Sequence, residues 1–146
     1  MASRVQDAPF DAGAELTEFT AGRSDLGAVV TFTGVVRDDT GNLKFLEIEH
    51  FPGMTLKEIE TIEAQAVARW NLGASLVIHR YGRLKPGENI MMVATAAAHR
   101  ADAFSAAEYL MDFLKSRAPF WKKEVTEAGE SWVEAREEDE DALGRW

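Results

Sequence analysis

Asn89-Ile90-Met91-Met92-Val93-Ala94-Thr95-Ala96-Ala97-Ala98-His99-Arg100-Ala101-Asp102-Ala103-Phe104-Ser105-Ala106-Ala107-Glu108-Tyr109-Leu110-Met111-Asp112-Phe113-Leu114-Lys115 changes period in its middle. Asn89 to Ala97 is a short apolar run with the length of a buried strand. From about Arg100 to Lys115 the apolar residues Ala103, Phe104, Ala107, Leu110, Met111 and Leu114 recur at the helical period, which predicts a helix with that stripe buried. Pro119 forbids much continuation.

Working outward, Ser75 to Tyr81 reads as a second strand, joined to the first by a turn around Lys85-Pro86-Gly87-Glu88. Upstream, Thr55-Leu56-Lys57-Glu58 has the form of a capping box. It opens a helix whose face is Leu56, Ile59, Ile62, Ala66, Val67 and Trp70, and Asn71-Leu72-Gly73 stops it. Ala28 to Val36 is β-branched and apolar at both alternating sets of positions, which predicts a strand buried on both faces. Lys44 to Phe51 predicts another strand, with Leu46 and Ile48 on one face and Glu47 and Glu49 on the other. Trp121 to Val125 and Ser131 to Ala135 form a hairpin around Glu127-Ala128-Gly129-Glu130. A short helix is expected at Ala14 to Phe19, and another within the acidic end. Strict βαβ alternation is absent, so the class is α+β: a mixed or antiparallel sheet with two long helices packed on it.

Length and composition bound the function. The 146 residues suit one domain, 1–146, and 46% hydrophobic with 28% charged residues is the composition of a folded protein. A net charge of −9 argues against a nucleic-acid binder that relies on diffuse positive charge. With no cysteine, disulfides, thiolate metal sites and a cysteine nucleophile are excluded. The longest nearly apolar run, Met91 to Ala98, falls far short of a membrane span of about 20 residues. The first residues lack the apolar core of a signal peptide, so a cytoplasmic location is expected. His50, His79 and His99 lack metal-ligand spacing, so no built-in metal is expected, nor any cofactor. No glycine-rich phosphate loop or nucleophile elbow is present.

The charge is uneven. Glu124 to Trp146 holds nine acids against two bases, whereas Lys115 to Lys123 holds four cations and no anion. Such a cationic run is either a solvated loop or a local field that selects a small anion. His99-Arg100 falls where a strand gives way to a helix, with free N–H groups and the helix dipole available to an anion. It serves equally as a simple helix start. Arg37 closes the Ala28 strand. Lys115 suits the helix C-terminus without any function. Lys122, beside Phe120, Trp121 and other cations, has surroundings that favour a neutral amine. Arg100 and Lys115 lie about 22 Å apart along one helix. They therefore serve separate sites, or the start of one protomer's helix meets the end of another's in a symmetric dimer.

Several segments carry a resemblance. Val29 to Arg37, Glu49 to Met54, Ile78 to Gly82, Ala98-His99-Arg100, Leu114 to Glu124 and Trp132 to Arg136 together resemble the large, catalytic subunit of molybdopterin synthase, in family order from about Gly27 to Arg136. The Arg117-Ala118-Pro119-Phe120-Trp121-Lys122 run is the most specific of them. The resemblance implies an α/β hammerhead-type fold and a sulfurtransferase of molybdenum-cofactor biosynthesis. Such an enzyme converts cyclic pyranopterin monophosphate (precursor Z) into molybdopterin by installing two dithiolene sulfurs. It further implies a partner, a small ubiquitin-like subunit whose C-terminal glycine thiocarboxylate brings the sulfur, and a homodimer at the centre of a heterotetramer.

By the same resemblance Lys115 and Lys122 are catalytic. Arg37, His99 and Arg100 hold substrate, Val35, Val36, Lys123 and Glu124 lie in binding segments, and Arg136 is a basic residue near the pocket. Glu124 is expected to orient Lys122. His99 and Arg100 of one protomer are expected to complete the other's site. Two other classes remain open on the residues alone: a non-catalytic phosphometabolite-binding domain, and an interaction protein whose acidic end binds a basic partner.

Overall fold

The structure is a computed structural model that describes residues 2–134 and 136–146. Ala135, the expected end of the hairpin's second strand, lies outside them, as does Met1. The elements run β1 (Ala2–Gln6), α1 (Ala12–Thr20), β2 (Ala28–Val35), β3 (Leu43–His50), α2 (Thr55–Trp70), β4 (Ala74–Arg80), β5 (Gly82–Leu84), β6 (Asn89–Ala97), α3 (Arg100–Arg117), β7 (Phe120–Thr126), β8 (Gly129–Trp132) and α4 (Glu137–Ala142), with a closing 3₁₀ turn at Leu143–Arg145.

Two four-stranded sheets form where one was expected, in the orders β1-β4-β6-β2 and β5-β3-β7-β8. β1 runs parallel to β4, and every other pairing is antiparallel. The switch between sheets falls at Gly82, whose φ of +93° is a conformation that side-chain-bearing residues rarely adopt. There the chain leaves β4 in the first sheet and enters β5 in the second. β1 went unread in the sequence because its five residues alternate only weakly. It is held from outside, where the buried carboxylate of Glu63 on α2 accepts from the Ala2 N–H, the Ser3 hydroxyl and the Ser75 hydroxyl of β4.

Covering both faces of the first sheet explains the continuous apolar runs of β4 and β6. On one face Ile59, Ile62 and Ala66 of α2 and Tyr109, Leu110 and Leu114 of α3 pack against Val77, Met91 and Val93. On the other, Phe10, Ala12 and Phe19 lie over Leu76, Ile78, Met92 and Ala94. A separate core of Val36, Leu46, Ile48 and Leu84 backs the second sheet.

Three local expectations are corrected. β2 is not buried on both faces. It is an edge strand whose Val29, Phe32 and Val35 are exposed, because an apolar run states what can be covered and not what is. Phe104 is 63% exposed rather than part of the α3 stripe; the inward face runs instead through Ala103, Ala106, Ala107, Tyr109, Leu110 and Leu114. The capping box at Thr55 does not form. The buried Thr55 hydroxyl accepts from the Phe51 N–H and donates to the Phe51 carbonyl, closing the preceding loop, while Met54 occupies the N-cap position without a side-chain bond.

Candidate active site

α3 ends at Arg117, and Ala118 and Pro119 turn the chain into β7. This reversal brings Lys115, on the last turn of the helix, beside Lys122, the third residue of the strand. Alternation along β7 sets the direction of each side chain. Lys122 is paired with the buried Ile48 and points inward, whereas Lys123 is paired with Glu47. The inward lysine meets a cavity of about 360 Å³ between the two sheets. Phe32, Thr33, Gly34 and Val35 of β2, His79 of β4, Ile90 and Met91 of β6, and Met111 and Leu114 of α3 form its walls with the two lysines. A second hollow of about 290 Å³ shares Lys115, Lys122, Ala118 and Phe120, and adds Trp121, Val133, Glu134, Arg136 and Asp139. The two amines thus stand where an apolar chamber meets a polar one.

Electrostatics follow from that position. Burial, then the neighbouring Lys115 ammonium, lowers Lys122 to about 8, while Asp139 on α4 pulls the other way. Both lysines line both hollows, so each amine sits in the field of the other. Burial and a like charge in the same hollow both disfavour its ammonium, so Lys122 gives up its proton readily and can then accept one or attack. His79 is driven further, to about 3, first by burial and then by Lys122, Lys115 and His50, against the support of its bond to the Arg80 carbonyl. It is a neutral imidazole at any physiological pH.

The other expected residues divide. Val35 lines the apolar chamber, and Arg136 lines the polar one, with its guanidinium on Glu138 at 2.6 Å. Arg37 lies just past the end of β2, largely exposed and paired with Asp39 at 2.9 Å, and lines neither hollow. Val36 is turned into the second sheet's core, and both its backbone groups are bonded, to Glu88 and Gly87. Lys123 is on the opposite face from Lys122, held by Glu47 at 3.1 Å and Glu130 at 3.3 Å, with its ammonium over the Trp132 ring. Glu124 is exposed, and no hydrogen bond joins it to Lys122 among the described residues. His99 and Arg100 stand exposed at the opposite end of α3 from Lys115, so within one chain they do not reach the lysines. His79 and Asp139 were missed. A lone histidine in an apolar strand reads as core, and an aspartate in an acidic run reads as solvated, until the fold sets each beside Lys122.

A chamber lined by two lysines, one of them readily neutral, can hold an anionic organic molecule and exchange protons with it, chemistry that suits the class of small α+β binding or transfer proteins. Comparison with known proteins narrows this. Residues 5–117 match the family model described as MoaE protein, and the chain belongs to that family. It is 63% identical over 142 residues, 97% of each chain, to the molybdopterin synthase catalytic subunit of Cereibacter sphaeroides. Among solved structures it is similar to the molybdopterin biosynthesis MoaE protein of Burkholderia ambifaria, with TM-score 0.85 and 48% identity over 100% of this chain and 98% of that one. The fold also matches a chain of the complex of subunits 1 and 2 of molybdopterin-converting factor from Helicobacter pylori. There the TM-score is 0.79, with 18% identity over 92% and 91% of the two chains.

Proposed function

We infer that this chain is the catalytic subunit of a molybdopterin synthase. It takes sulfur from the C-terminal glycine thiocarboxylate of a small ubiquitin-like subunit and installs it on cyclic pyranopterin monophosphate, forming the dithiolene of molybdopterin. The observation that carries this reading is the pairing of Lys115 and Lys122 at the junction of the two hollows, in a chain whose family relatives are named for that activity. Lacking cysteine, the chain carries no persulfide of its own, in keeping with sulfur delivered by a partner. As the thiocarboxylate sulfur bonds to a side-chain carbon of the pterin, the carbon–oxygen bond there breaks, and a Lys115 ammonium stabilises and protonates the departing oxygen. Water then cleaves the acyl–sulfur bond, returning the small subunit's glycine carboxylate and leaving sulfur on the pterin, while the more readily neutral Lys122 takes up the proton that the water releases.

The unit of function in this reading is one domain, residues 1–146, paired as a homodimer within a heterotetramer and working in the cytoplasm. Support for a single domain comes from the C-terminal segment, which clasps α3 through Arg117–Glu140 at 2.7 Å and Arg145–Asp112 at 2.9 Å. Support for the dimer comes from α3, which separates Arg100 from Lys115, and from the exposed apolar residues Phe32 and Phe104, which line a hollow beside the chamber, with Val29 exposed on the same edge strand as Phe32. In the dimer, His99 and Arg100 of one protomer join the partner's lysines, and Arg37 comes with its own protomer to hold the phosphate.

The test is a coupled reaction. Purified chain is mixed with cyclic pyranopterin monophosphate and thiocarboxylated small subunit, and dithiolene product is measured beside the particle mass with and without the small subunit. Product formation at the expected heterotetramer mass supports the reading. Pterin binding without any dithiolene leaves a binding domain and refutes it.

A further inference from the structure

His79 has a fixed orientation and an unused nitrogen. Its Nδ1 lies 2.8 Å from the Arg80 carbonyl. A carbonyl only accepts, so Nδ1 carries the proton and Nε2 is left with a lone pair. The ring stacks on Phe120 at 3.6 Å between centroids and 15° between planes, which ties it to the strand that carries Lys122 two residues on. His79 lines the same chamber as Lys115 and Lys122, and Nε2 makes no hydrogen bond among the described residues. Of the chamber's other side chains, Thr33 offers one hydroxyl, while the apolar ones, among them Phe32, Ile90, Met91, Met111 and Leu114, offer an ammonium no strong acceptor.

We propose that His79 is a positioning residue for the lysine pair: when Lys122 takes up a proton, Nε2 of His79 accepts one of its N–H groups and holds the ammonium on the inner wall of the chamber. This rests on the sulfur-transfer reading for its place in the reaction, not for its chemistry. The groups facing His79 are the cations Lys122 of β7 and Lys115 of α3, and His50 at the end of β3. Arg80, next in the chain, turns its guanidinium away to the carbonyls of Asp7 and Asn89 and to Glu88. Asp139 faces Lys122 from α4. Burial around it and then the cations beside it keep the ring neutral, so it accepts a hydrogen bond without competing for the proton. No chemistry is assigned to it on substrate.

Two measurements on the protein without substrate or partner test this. In wild type carrying ¹⁵N-histidine and ¹³Cε-lysine, the Nε2 signal of His79 should move with the Lys122 titration, near pH 8. A flat Nε2 signal through that midpoint overturns the proposal. Removing an acceptor disfavours the ammonium, so His79→Phe should lower the Lys122 midpoint by about one pH unit. His79→Gln, whose side-chain carbonyl stands in for Nε2, should stay within a few tenths of wild type. Equal midpoints in all three proteins, or equal displacement in both variants, mark a purely structural histidine and overturn the proposal. Should His79→Phe fail to fold, the wild-type measurement decides alone. Failure of sulfur transfer by the wild type would sink the proposed function yet leave both titrations readable.

Discussion

Lys115 and Lys122, seven positions apart and on different elements, line the same two hollows across the Ala118-Pro119 reversal. The Lys115 charge therefore bears on the protonation of Lys122. Lys115→Ala removes the like charge that lowers Lys122, so the Lys122 midpoint should rise above 8 while the fold is kept. Product formation in the same variant should fall by about a hundredfold or more, the range of a lost acid–base or charge-stabilising group. Lysine NMR and the coupled assay check the two outcomes. An unchanged midpoint would mean that the pair is not coupled.

Lys122 should cost stability at neutral pH. Its native midpoint of about 8 lies below the ordinary 10.5, so between those values the unfolded chain holds a proton that the native one lacks. Stability then rises with pH through that window, and the full cost applies below it. Lys122→Met should therefore be inactive but more stable at pH 7, by roughly 3–6 °C in Tm. Its advantage should fade as pH approaches 10.5. Melting curves across pH 7 to 10.5 provide the check, and a constant difference would contradict the assignment.

The length of α3 makes a prediction about assembly. Arg100→Ala and Lys115→Ala should each be inactive alone. If sites are shared across a dimer, one site of each mixed dimer is intact, and random mixing should restore roughly a quarter of wild-type turnover. Mixing without recovery would place both residues in sites built within single protomers.

Trp146 anchors the acidic end. Its ring meets Trp70 and Tyr109 edge-on, and its indole N–H donates to Asp112. Trp146→Ala should cost about 1–2 kcal/mol in chemical denaturation. By loosening α4 it also takes Asp139 away from Lys122, so the lysine midpoint should drop below its wild-type value. Asp139→Asn should reproduce the drop without the loss of stability.

Elements with strong periodicity or punctuation were legible along the chain. α2 stops at Asn71, which takes the left-handed conformation expected of the Asn71-Leu72-Gly73 stop, and β4 and β6 pair as the intervening turn suggested. Lys122's neutral tendency was legible too, since aromatic and cationic neighbours adjoin it in sequence. Phe32 and Phe104 misled because an apolar side chain looks the same whether the chain covers it or leaves it open. β1 and the split into two sheets were illegible, since parallel pairing between residues 2–6 and 76–80 and a backbone switch at one glycine leave little local pattern.

Local order along the chain thus determined which segments are helix or strand, which residues carry charge, and where helix α3 must end. Tertiary structure decided which charges meet. The reversal at Pro119 and the alternation of β7 turn Lys122 inward to Lys115 and His79 while leaving Lys123 to Glu47 and Glu130. Burial and through-space fields depend on distance between atoms, and sequence order specifies that distance only within an element.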